Sequence, residues 1–366
     1  MRLNTSVLWF PQGISLNLAD NFTNGPIGNF TPNATSWGPK LESASWSAVP
    51  VCFLIIMLLS TVLNGVVLYV IARDSHLKTA FNVYIVNLLL TNLVQTFIQM
   101  PLNIANYLRS YWWLGSTACT VFIYGLSIQA VMVCSHLLIT MNRIWAVTSP
   151  VTYRNYHKKR LSIGLCVFIW IYVHAFFLPG LIADALYYRM PTEYGCFINP
   201  MAQLASTTAM EWCLFKIPVL LIICSYPYIA YKSLKARNTV SNQANATSLT
   251  VGRLRRATND PTGAPAESSK QVSETAPDVQ RKKGRRNRRG GFVLLTLMTL
   301  TMMVFWTPSL VYYTVISYMR VNWPVVEQAA NILLLLETIA DPICFTLALR
   351  RLREAVLRTL RRRPLS

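Results

Sequence analysis

Long apolar stretches broken by short polar clusters run through most of the chain. A membrane-crossing helix takes about 20 mostly apolar residues, and such runs fall at 48–72, 81–105, 120–144, 161–186, 206–232, 291–318 and 325–348. They predict an all-α membrane protein, a seven-transmembrane helix bundle with its termini on opposite sides. After the last run, LALRRLREAVLRTLRRR sets Leu347, Leu349, Leu352, Val356, Leu357 and Leu360 among arginines at helical spacing. That pattern predicts an amphipathic eighth helix lying along the membrane. The chain divides into a tail (1–46), spans one to five (47–234), a loop rich in Ser, Thr, Asn, Pro and Ala (235–289), spans six and seven (290–348), and the amphipathic helix with a short tail (349–366). The loop has the composition of a disordered segment and ends in the basic run RKKGRRNRR. Internal repeats, which mark inverted-repeat transporters, are not evident, and nothing suggests catalysis or an enzyme.

Composition changes the picture mainly through charge. A net charge of +20 could suggest nucleic acid, but its distribution argues otherwise. With the N-terminus outside, the outer segments hold Arg2, Lys40, Arg109, Arg189 and Arg320 against Asp20, Glu42, Asp184, Glu193 and Glu327. The inner side holds 28 basic residues against six acidic ones. The positive-inside rule therefore predicts a multi-pass plasma-membrane protein with its N-terminus extracellular. Its basic flanks are expected either to touch anionic lipid head groups of the membrane or simply to stop translocation during insertion, and no nucleic acid is needed to explain them. Sequons at Asn4, Asn21, Asn29 and Asn33 predict a glycosylated outer tail, whereas a fifth at Asn245 falls in the inner loop. Six cysteines lie within apolar spans; Cys119 and Cys196 alone lie at the oxidising outer face, which predicts a disulfide.

Polar residues inside membrane spans are costly and need an account. Asn64 in LNGVV, Asn87 and Asn92 in NLLLTNL, Asn142 and Arg143 in TMNRIWAVTSP, Trp170, Pro218 with Tyr226, Trp306 and Pro308 in FWTP, and Asp341, Pro342 and Phe345 in DPICF follow one another in order. With WWLGSTAC around Cys119, this set resembles the rhodopsin-like (class A) G-protein-coupled receptors from about 48 to 363. The resemblance implies a receptor that passes an outside ligand's signal to a heterotrimeric G protein. Arg143 would meet the G protein when the sixth helix swings outward, Trp306 and Pro308 would form the kink and switch of that helix, and Tyr226 would support Arg143. A receptor-like protein that heteromerises without signalling is the alternative; a transporter is a weaker one.

The inner half resembles the biogenic-amine branch, muscarinic receptors included. The ligand side departs from it. Amine receptors hold the ammonium with an aspartate in helix three, since a buried cation needs a paired charge. Here that place falls at Gly125 counting back from Arg143, or at Leu126 counting forward from Cys119. Ser309, Leu310, Asn331 and Leu335 stand where the aromatic cage would be, and Leu335 also where an opsin carries its retinal lysine. A conventional amine and a Schiff-base chromophore are therefore both unexpected, and the ligand stays unidentified. Glu211 and Lys216 are the charges in the outer half of span five. Five residues of α-helix turn them about 140° apart, which predicts that they do not pair, with Glu211 the better candidate to face the ligand pocket.

Many family members bind sodium between helices two, three and seven. The resemblance implies a sodium or polar cluster here at Asn64, Asn92, Glu337 and Asp341, with Met132 where a serine ligand is expected. Two carboxylates about 6 Å apart along a helix do not both ionise in low dielectric without a cation, so either Na+ binds or one acid is protonated. Several switch positions also depart from the family pattern. Asn142 replaces the aspartate that pairs with Arg143, Arg288 the acidic partner in helix six, Phe345 the tyrosine of the seventh-helix motif, and Met302 the phenylalanine above the tryptophan. Without a carboxylate to restrain Arg143, the expectation is raised basal signalling, with a receptor that couples poorly as the competing outcome.

Overall fold

The computed structural model describes residues 46–109, 111–191, 195–199, 202–228, 231–232, 293–294, 296–319 and 323–361. Almost all of these are helical, and no strand occurs among them. Among the described residues, six helices are long and apolar enough to cross a membrane: α1 (Ala48–Arg73), α2 (Ala80–Leu108), α3 (Gly115–Thr148), α4 (Lys159–Tyr188), α5 (Leu204–Tyr228) and α7 (Pro324–Ala348). Between α5 and α7 runs the remaining span, helical over 296–305, turned at Trp306, and helical again as α6 (Thr307–Met319). Finally, α8 (Arg350–Arg361) follows α7 after one extended residue, Leu349. The tail up to Ser45 with Asn4, Asn21, Asn29 and Asn33, the 235–289 loop and Arg288 lie outside the described residues.

The arrangement inverts the usual polarity of a soluble core. Leu58, Val62, Phe168 and Ile171 are exposed on α1 and α4, whereas Asn64, Asn92, Glu337 and Asp341 are at most 1% exposed. Outward apolar side chains are what a lipid solvent demands, since the spans satisfy their backbone internally. The most enclosed helix is α3, the axis around which the others pack. Its start is set by Gly115, whose φ of 81° suits glycine and whose carbonyl accepts a hydrogen bond from Trp112 Nε1 at 2.8 Å. The helix consequently begins five residues before the apolar run at 120.

Among the described residues, three π turns fall in the spans, at Gln95–Gln99 in α2, Asp184–Tyr188 at the end of α4 and Glu211–Lys216 in α5. A π turn adds a residue to one helical turn and rotates everything after it. The amphipathic helix α8 buries Leu352 and Ala355 against the bundle and turns Leu357 outward. Arg358 reaches Asp74, after α1, at 3.6 Å.

Candidate ligand cavity and polar core

A cavity opens among α2, α3, α5 and α7 at the end of the bundle where the Cys119–Cys196 disulfide ties the start of α3 to the 195–199 segment. Its walls are mainly apolar, with Phe122, Leu126, Phe177, Phe197, Phe215 and Leu335 among them. Polar groups enter from Gln99, Gln129, Glu211, Tyr107, Tyr313 and Asn331. Asn331 receives Tyr313 Oη at 3.2 Å and donates to Tyr107 Oη at 3.3 Å, which fixes one polar wall. Asp184, counted among the outer charges, is fully buried below this end; its carboxylate takes Arg189 and the backbone N–H of Asn199.

The structure sorts the sequence candidates. Leu126, Glu211, Asn331 and Leu335 line the cavity. Gly125 does not: a Cβ there would lie 1.2 Å from Gln99 Oε1, so the missing side chain is the room that Gln99 occupies. Ser309 turns its hydroxyl toward the Ala330 carbonyl at 3.5 Å, and Leu310 lines a second groove, between α5 and α6, with Lys216. Trp306 lies beneath the cavity, its ring 6.1 Å from that of the lining residue Phe215.

The separation expected of Glu211 and Lys216 is also corrected. Their side chains pair at 2.7 Å, both nearly buried. The cause is the π turn spanning those two residues: i→i+5 bonding brings residues five apart onto one face. Lys216 also lies 4.9 Å from the Trp212 ring. The carboxylate that faces the cavity is therefore already matched by a cation.

Below the cavity a chain of polar contacts crosses the bundle. Asn64 of α1 donates to the Thr338 carbonyl at 2.8 Å, and Asn92 of α2 donates to Asn64 at 3.2 Å and to Asp341 Oδ2 at 3.0 Å. His136 of α3 sets Nε2 at 3.3 Å from Asp341 Oδ2 and 3.4 Å from Glu337 Oε1. Glu337 Oε2 takes the Trp306 Nε1–H. Sequence reasoning had four of these polar groups, Asn64, Asn92, Glu337 and Asp341, in one cluster but missed His136. The signal was available: it stands one turn after Met132, facing two acids in need of a cation. Separately, Asn87 joins Ser135 at 2.8 Å and Trp170 at 3.0 Å, binding α2, α3 and α4 together.

Residues 63–345 match the family described as 7 transmembrane receptor (rhodopsin family). The chain belongs to this rhodopsin family. It is 27% identical to Melanopsin-B of Xenopus laevis over 184 residues, 49% of this chain and 34% of that protein. It is 24% identical to 5-hydroxytryptamine receptor 1B of Mus musculus over 272 residues, 72% of this chain and 68% of that protein. To Muscarinic acetylcholine receptor M3 of Rattus norvegicus it is 25% identical over 234 residues, 62% and 39%. The matched segments thus span from 34% to 68% of these relatives' length.

At the opposite end of this rhodopsin-family bundle lies Arg143, near the end of α3. No carboxylate pairs with it among the described residues; its guanidinium lies over the Phe81 ring, 3.5 Å from the centroid. Guanidinium stacks well on aromatic faces, so Phe81 of α2 holds the place of an acidic partner. Asn142 instead donates to Tyr153 Oη at 3.4 Å, in the short helix Pro150–Tyr156. Tyr226 is half-buried in the last turns of α5, and Phe345 and Pro342 are buried in α7. Pro308 falls at the start of α6, where proline is tolerated.

The sodium that the family resemblance implies does not fit this core. Hard monovalent and divalent ions of that kind are held by oxygen. Here an imidazole nitrogen stands between the two carboxylates, and the expected serine is the thioether of Met132, 1% exposed.

Proposed function

We propose that this receptor carries a signal from a ligand in the disulfide-end cavity to a heterotrimeric G protein at Arg143, with the N-terminus outside the cell. The observation that carries the reading is the polar chain from Trp306 through Glu337, His136, Asp341 and Asn92 to Asn64. It links α6, α7, α3, α2 and α1 directly beneath the cavity. A ligand that presses Phe215 or Trp306 acts on this chain, and an outward swing of α6 would open the end where Arg143 waits.

The cavity supports an uncharged ligand that offers hydrogen bonds. Glu211 is matched by Lys216, while the Gln99 and Gln129 side-chain oxygens are buried without a partner. An unpartnered polar group in an apolar wall costs about 1–3 kcal/mol, which a neutral ligand with donors would recover. With no carboxylate on Arg143 among the described residues, basal output is raised. Cells expressing the chain should give second-messenger output above vector, and Arg143→Ala at matched surface density should return it to the vector level. Unchanged output in that variant would favour a heteromerising partner that does not itself signal. An epitope at the N-terminus, stained without permeabilising the cells, checks the orientation.

A further inference from the structure

The His136, Glu337 and Asp341 trio has the form of a site for a different ion. Three donor atoms from α3 and α7 lie within 4.8 Å of one another, on side chains no more than 1% exposed. The Nε2 to carboxylate separations are 3.4 and 3.3 Å. Zinc bonds to histidine nitrogen and carboxylate oxygen run about 2.0–2.2 Å, so adjacent donors on a tetrahedron about zinc stand roughly 3.3–3.5 Å apart. Both edges match.

A second observation points the same way. His136 Nε2 and Glu337 Oε1 meet only across the long ion-pair separations just given, with no other hydrogen bond, and Nδ1 is buried without a partner. Polar atoms held that loosely in a buried site cost free energy, and metal coordination would satisfy Nε2 and Oε1 together. The carboxylate oxygens are already oriented from outside: Trp306 Nε1–H holds Glu337 Oε2, and Asn92 Nδ2–H donates to Asp341 Oδ2 at 3.0 Å. Outer partners of this kind are what fix metal ligands in place. Imidazole with two carboxylates suits zinc and its neighbours, and a divalent ion neutralises both acids.

We propose that His136, Glu337 and Asp341 bind a zinc-class divalent transition-metal ion in the middle of the bundle, fastening α3 to α7 and leaving a fourth position for water. The site's existence does not depend on the coupling proposed above. The test uses the full chain purified in detergent without a histidine tag, loaded with zinc chloride and freed of loosely held metal. Wild type should retain about one zinc per chain, and His136→Asn or Asp341→Asn should retain about tenfold less or lower. Zinc, but not sodium chloride, should raise the thermal midpoint of wild type. Should either variant fail to fold, cobalt-loaded wild type decides: intense visible bands of tetrahedral cobalt are expected. Retention below a tenth of an ion in wild type, equal retention in folded variants, an equal shift with sodium, or the absence of those bands would each overturn the site.

Discussion

Lys216 and Arg143 are two cations embedded in the same bundle, and they are held in opposite ways. Lys216 meets a carboxylate because the backbone changes register between the two residues. Arg143 has no acid among the described residues and rests on the Phe81 ring instead. The first arrangement is a closed pair, neutral toward the cavity; the second leaves the guanidinium Nε buried without a hydrogen-bond partner among the described residues. One end of the molecule has its charge settled, and the other keeps a charge in reserve for something that arrives.

The largest test of this contrast is Lys216→Met. Breaking a buried pair by removing one partner costs about 3–5 kcal/mol, so the thermal midpoint of the purified receptor should fall sharply. Adding Glu211→Gln should recover most of it, because no charge is then left alone. If the single variant melts like wild type, the pair is not a closed unit. Next in size is Phe81→Leu, which removes a contact worth about 0.5–2 kcal/mol. Basal signalling should rise roughly 2- to 30-fold at matched surface density, and a fall in output would mean that Phe81 serves the active state instead.

His157 gives a smaller effect, read through pH. It follows the short helix Pro150–Tyr156, stacked on Tyr153 with centroids 4.4 Å apart. Burial, and then the nearby Arg143 charge, push its pKa below the ordinary histidine value of 6.5. The unfolded chain therefore binds the proton more readily, and the stability that neutral His157 contributes is present above pH 6.5 and is lost as pH falls toward the depressed value. His157→Gln should flatten the melting profile between pH 7.5 and about 5.5; an unchanged slope would remove this residue from it. The smallest effect belongs to Arg358→Ala. Its contact with Asp74 is 3.6 Å long and well exposed, so stability should change by no more than about 0.5 kcal/mol, and a larger drop would mean that α8 depends on that contact.

The seven spans and the eighth helix were legible because bilayer thickness and charge asymmetry constrain composition directly. Motif residues such as Asn64, Asn92 and Asp341 were legible as a cluster because buried polar groups in lipid must find one another. Register was not. The Glu211 and Lys216 pair contradicts an ideal α-helix, and the spacing of an acid and a base five apart was itself the available sign of a π turn. Ser309 and Leu310 face neighbouring helices instead, α7 and α5, which spacing along their own helix does not reveal. His136 and Phe81 were missed because each looked like an ordinary core residue until its neighbours from other helices were known.

The pairing of Gly125 with Gln99 bears on how this lineage can change. Of the two positions at which an acidic anchor for an ammonium group could arise, one carries a condition: a side chain at Gly125 meets Gln99 Oε1 at 1.2 Å, so the end of the Gln99 side chain must first swing out of the room it occupies. Leu126 already faces the cavity and asks for no such rearrangement. Evolution toward amines, or a laboratory selection for them, has its shorter path through Leu126.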